Sequence, residues 1–97
     1  MEYLMGLYVT DDEMYGKYRA AMYPILQTYG GDFGYDFKIK EVLKSEVKEP
    51  INRVFTIYFK DEQAKIDFFS NEEYLSIKEK FFNESVSSVT EIAQYKK

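Results

Sequence analysis

Asn52 to Lys60 reads NRVFTIYFK, and the two faces of this stretch decide the fold. A strand on the surface of a small domain alternates, apolar inward and polar outward. Here Phe55, Ile57 and Phe59 occupy one phase and Val54, Thr56 and Tyr58 the other, with Arg53 at the entrance. Both faces ask for cover. The stretch therefore belongs at the centre of a sheet, with something beyond a single helical layer to bury its second side.

Toward the N-terminus, EYLMGLYVT reads as another two-sided strand, with Tyr3, Met5, Leu7 and Val9 on one phase and Leu4 and Tyr8 on the other. Gly6 in its middle marks the close approach of another backbone or a ligand. Thr10 with Glu13 is a capping box, and Asp11 and Asp12 suit the positive end of a helix dipole. Tyr15, Tyr18, Met22, Ile25 and Tyr29 then recur at helical spacing. This stripe leaves Arg19 on the exposed side. Pro24 cannot donate to the carbonyl of Ala20, which predicts a kink or a restarted last turn. Gly30 and Gly31 end the helix.

The next segment, DFGYDFKIKEVLKSEV, alternates Phe33, Tyr35, Phe37 and Ile39 against Gly34, Asp36, Lys38 and Lys40. One wet phase predicts an edge strand. Lys44 to Pro50 is a charged turn leading into the central strand. Beyond that strand, Asp61 opens a helix with Ala64, Phe68 and Phe69 inward. Ser70 with Glu73 forms a second capping box, so a new short helix follows with Tyr74, Ile77 and Phe81 on one face. SVSSVTEIAQY is a final β-branched strand.

The resulting order β-α-β-β-α-β predicts one α+β domain over residues 1–97, ferredoxin-like, with strand order 4-1-3-2 and both helices on one face. The helices cover only one face of the central strands. The economical cover for the other is the same face of a second copy, giving a two-fold homodimer with Tyr8, Thr56 and Tyr58 on the dimer face.

Composition bounds the function. The 97 residues are 45% hydrophobic and 31% charged, globular proportions with room for one core. Aromatics reach 19%, from 10 Tyr and 8 Phe without Trp. A net charge of −4 lacks the basic footprint that nucleic acid or an anionic membrane surface requires. No apolar run approaches the roughly 20 residues of a membrane span. The opening MEYLMGLYV lacks the basic segment of a signal peptide, so the expected home is the cytoplasm. With no Cys and no His, disulfides, His-ligated metals and His-based nucleophile pairs are out of reach, and no cofactor or metal is expected.

Four segments, VTDDEMYGKY (9–18), YGG (29–31), RVFTIYF (53–59) and SNEEYLSIK (70–78), together resemble the domain-of-unknown-function family 1330, within the dimeric α+β barrel superfamily. The resemblance spans nearly the whole chain. It implies a homodimer whose sheets face each other, with a small cleft between sheet and helices in each subunit, and it implies no activity. Two positions depart from the family's habit of carrying arginine: Asp36 after the glycine pair, and Phe81 late in the second helical region.

Five residues are candidates for a ligand site. Arg53 has the planar fork that matches a carboxylate, though a structural pairing with Glu49 or another acid is the plainer reading. Tyr8, Tyr58 and Tyr35 fall on adjoining strands, where phenols can stack on and hydrogen-bond a small aromatic or enolic molecule, or build a dimer interface. Asp36, if turned inward, is a carboxylate of raised pKa and a possible base; if outward, it pairs with Lys38 or Lys40. Asp11, Asp12 and Glu13 lack a metal-binding loop, and Glu72 and Glu73 suit a helix start. The function expected is a homodimeric binding or non-catalytic protein. The alternative is a cofactor-independent enzyme, monooxygenase- or isomerase-like, acting on a small activated organic molecule. An RNA-recognition module shares the element order, but RVFTIYF lacks the glycines and the chain lacks the charge.

Overall fold

The computed structural model describes all 97 residues. The chain runs β1 (Glu2–Val9), α1 (Asp12–Thr28), β2 (Asp32–Lys38), β3 (Arg53–Tyr58), α2 (Glu62–Ser70), α3 (Glu72–Ile77), a π-helical turn (Lys78–Phe82), α4 (Asn83–Ser85) and β4 (Val86–Tyr95). The four strands form one sheet in the order β2-β3-β1-β4, with each neighbouring pair antiparallel. This is the predicted order read from the other edge, and RVFTIY is a central strand.

The helical stripe read from the sequence is buried, with Tyr15, Tyr18, Met22 and Ile25 joined by Leu26 against Leu7, Phe55, Ile57 and Phe59 of the sheet. Both caps lie one residue later than the capping boxes predict. Asp11 rather than Thr10 accepts the Met14 N–H, at 3.0 Å, and Asn71 rather than Ser70 accepts that of Tyr74, at 2.9 Å. Thr10 turns instead to the carbonyl of Ser85. Helix α1 continues through Pro24 to Thr28 as one element. It ends with Gly30 at φ 76°, while the N–H groups of Gly30 and Gly31 close on Gln27 and Leu26.

Strand β2 departs from the expected alternation. Phe33 stands opposite Ile57 but Asp36 stands opposite Phe55, so Gly34 and Tyr35 together face the single residue Thr56. This bulge reverses the phase of everything after it. Asp36 and Lys38 turn to the helix side, where Lys38 pairs with Asp12, and Tyr35 and Phe37 stack on each other on the opposite face. Gly34 is obligatory in the bulge, because a Cβ there would lie 2.6 Å from Thr56 Oγ1. That same hydroxyl accepts the Tyr35 N–H at 2.8 Å and replaces the missing ladder bond.

Part of the sheet's outer face is covered from within the chain. Residues 39–52 fold back beneath the Val54 end of β3, and Ile51 lies over Gly6, where a Cβ would meet Ile51 Cδ1 at 3.0 Å. Asn52 fixes this return by bonding both the N–H and the carbonyl of Val9. Gly6 is thus a close-approach position, but what approaches it is the side chains of Ile51 and Ile92 rather than the backbone or ligand expected. Tyr35 and Phe37 remain exposed on this face, Leu4, Tyr8 and Tyr58 are half-buried, and Glu2 and Thr56 are buried. No helix is long and apolar enough to cross a membrane.

Candidate functional site

A cleft of about 330 Å³ opens between the sheet and the helices. Its floor is Tyr3, Met5 and Leu7 of β1 and Phe55 and Ile57 of β3, and its roof comes from Tyr15, Tyr18, Arg19 and Met22 of α1. Tyr74 of α3 closes one wall, and Lys78 and Phe82 reach it from the π-helical turn, a local widening of the helix that recurs at functional sites. Fourteen of its 18 lining residues are hydrophobic, so an apolar ligand body gains by leaving water here.

The polar groups in this apolar setting are few. Tyr18 and Tyr74 share a hydrogen bond of 2.9 Å between their hydroxyls. Only one phenol can supply that bond, so the other keeps its hydrogen free. Arg19 donates from Nε to the Tyr15 hydroxyl at 2.8 Å, which leaves the Tyr15 O–H itself without an acceptor. Burial raises the pKa of Tyr15, of Tyr18 and of Tyr74, so all three stay neutral phenols in the physiological range. They are donors rather than bases.

Behind Arg19 sits an ion cluster. Arg53 donates from Nε and Nη2 to the two oxygens of Asp36, at 2.7 and 2.8 Å, and Arg19 Nη1 reaches Asp36 Oδ2 at 3.2 Å. Burial raises the Asp36 pKa, but the Arg53 hydrogen bond and the charges of both arginines outweigh it and hold the carboxyl below its usual range. The inward Asp36 of the sequence reading was expected to be a base of raised pKa, and its guanidinium partners reverse that direction. Arg53 has neither Glu49 nor a free position: its fork is filled by Asp36, which raises its own pKa.

Arg19 was expected in solvent and lies at the cleft instead, its side chain only 15% exposed. Its guanidinium carbon stands 3.9 Å from the centre of the Phe33 ring and 4.7 Å from that of Phe55. The i,i+4 spacing from Tyr15 was the signal available in the sequence, since it sets Arg19 beside the apolar stripe.

Of the five candidate ligand residues, Arg53 and Asp36 come together at the back of the cleft without lining it. Tyr8, Tyr58 and Tyr35 fall on the opposite sheet face, Tyr35 because of the bulge, and share no cavity with Arg19. Beside them lies Glu2, whose side chain is 7% exposed and takes the Lys97 ammonium at 3.4 Å. Burial raises the Glu2 pKa, but hydrogen bonds from Tyr95 and Lys97 and the Lys97 charge lower it overall. Asp11 and Asp12 serve as a helix cap and an ion pair.

A family model described as "Domain of unknown function (DUF1330)" matches residues 3–94. The chain belongs to that family. Among solved structures, the fold is similar to that of RPA0582, a protein of unknown function from Rhodopseudomonas palustris. It matches with a TM-score of 0.77 and 16% identity over 94% of this chain and 77% of that one. The methylated form of RPA0582 matches with a TM-score of 0.74 and 15% identity, over 99% of this chain and 82% of that one. At such identities the likeness is one of fold alone. No curated protein matches the chain.

Proposed function

We propose that this DUF1330 protein is a cytoplasmic homodimer of the dimeric α+β barrel type that binds a small organic molecule in the cleft of each subunit. The observation that carries the ligand reading is the cleft itself: about 330 Å³ of largely apolar space with a few polar side chains in its lining. Ligand sites of small molecules have this make-up, an apolar shell with a small number of placed polar groups.

Binding is favoured over turnover by what surrounds those donors. The phenols have raised pKa values, and Asp36 is held ionised by two arginines. The carboxylate that does line the cleft, Glu91, is exposed on β4. A general base needs a pKa near the working pH and a place beside the reacting proton. The homodimer is supported by the outer face, where Tyr8, Tyr58, Tyr35 and Phe37 form an aromatic surface around the buried Glu2 and Thr56. Aromatic enrichment of this kind marks interfaces.

Native mass spectrometry of the purified protein tests both parts. A dimer mass carrying additional small-molecule mass is the expected result, and a ligand-dependent rise in melting temperature without turnover should accompany it. A monomer would overturn the assembly, and catalytic turnover of a bound compound would replace binding by the enzyme reading.

A further inference from the structure

The cleft is positive in an acidic protein. Arg19, Lys65 and Lys78 line it against the single carboxylate of Glu91, whereas the chain as a whole carries a net charge of −4. The cations differ in kind. Lys65 and Lys78 hold their ammonium groups near the Tyr3 and Phe82 rings, at 4.1 and 6.0 Å from the ring centres. Arg19 is half-buried, as they are, but its Nη2 is closed off from water and has no hydrogen-bond partner.

An orphaned guanidinium nitrogen in an apolar wall is costly unless something completes it. Its other two nitrogens are engaged, Nε on Tyr15 and Nη1 on Asp36. Asp36 cannot neutralise both arginines, because one carboxylate faces two guanidinium ions. The cluster therefore keeps a net positive charge at the cleft wall, where Arg19 Nη2 is closed off from water and unpaired, and the Tyr15 phenol is bonded to the same guanidinium. Donors gather here without an acceptor.

Resting on the reading of the cleft as a ligand site, we infer that its ligand is a small aromatic or comparably flat monoanionic acid whose carboxylate, or an equivalent enolate oxygen, is anchored by Arg19 Nη2. The Phe33, Phe55 and Tyr18 rings take the apolar body. The cavity lies at the lower end of the size range of small-molecule sites, which suits one ring system better than an extended chain. Asp36 and Arg53 are positioning residues: the bidentate pair holds Asp36, which in turn fixes Arg19 Nη1 and keeps the guanidinium at the cleft wall.

The test compares 2-naphthoate with its neutral counterpart 2-naphthalenemethanol by isothermal titration calorimetry on the full chain. The wild type is expected to prefer the acid by about tenfold or more, the range of a hydrogen bond to a charged group. Arg19→Gln should bring the ratio of acid to alcohol affinity close to one, whatever its effect on the alcohol alone. Arg19→Lys, which keeps charge without the fork, should restore only part of the preference. Equal binding of acid and alcohol by the wild type would overturn the acid inference and leave the cleft as an apolar site. An acid preference that survives in folded Arg19→Gln would overturn Arg19 as the anchor. Binding of neither compound would overturn the inference together with the cleft reading beneath it. The wild-type comparison decides the ligand class even if neither variant folds.

Discussion

Arg53 grips Asp36 with both ends of its fork, Nε to Oδ1 at 2.7 Å and Nη2 to Oδ2 at 2.8 Å, across the β2–β3 pair. This pair makes stability depend on acid. The folded pKa of Asp36 lies below its unfolded value of about 3.9, so its contribution is complete above that value and is lost as pH falls through the folded pKa. With a third of the Asp36 side chain exposed, solvent screening limits the contribution to about 1 kcal/mol. Asp36→Asn should lower the free energy of urea unfolding at pH 7 by that amount and converge on the wild type as the pH falls from the unfolded pKa through the lower folded one. A constant difference across this range would show that the carboxylate's charge contributes nothing.

The Tyr18–Tyr74 hydroxyl bond at 2.9 Å is buried, so removing one partner strands the other. Tyr18→Phe should cost about 1–2 kcal/mol in denaturant unfolding, and Tyr18→Phe with Tyr74→Phe should cost less than the sum of the single changes. Strict additivity would mean that the two hydroxyls are satisfied independently.

Two glycines should respond in opposite directions to alanine. At Gly31 a Cβ would lie 2.5 Å from Leu26 Cδ1 and 2.9 Å from the Tyr58 carbonyl oxygen, so Gly31→Ala should destabilise by about 1–3 kcal/mol. At Gly16, within α1 and exposed, a Cβ meets nothing within 4 Å. Gly16→Ala should stabilise by about 0.5–1 kcal/mol through helix propensity alone. Thermal melts of the two variants check both signs.

The element order and the sheet order were legible because hydrophobic periodicity is long in α1 and doubled in β3, which fixes a central strand. The bulge in β2 was not, since strict alternation through Phe33, Tyr35 and Phe37 fits an unbroken strand equally well. Gly34 was the one hint, as a glycine inside a strand pattern often marks an extra residue. Missing it kept Tyr35 in the phase of Phe33, whereas the bulge turns the two to opposite faces. Arg19 was missed for a different reason: charge argues for solvent, and only the partners Tyr15, Asp36 and Phe33, drawn from two elements, make its burial tolerable. Pairings between distant segments leave no periodic trace.

On the outer face, Tyr58 stands opposite Glu2 on β1 and Asp32 on β2. Tyr58→Glu adds a third carboxylate to that neighbourhood and to the proposed dimer face. The expected product in light scattering after size exclusion is monomer or aggregate. A folded, stable dimer from this variant would place the contact elsewhere.

The central claim is that the cleft between helices and sheet binds a small acid, and methionine methyl NMR tests it most directly. The chain has four methionines, of which Met5 and Met22 line the cleft while Met1 and Met14 do not. Titration of ¹³C-methyl-labelled protein with 2-naphthoate should shift Met5 and Met22 in a saturable way and leave Met14 in place. Saturable binding that moves neither cleft methyl, or no binding at all, would contradict the claim.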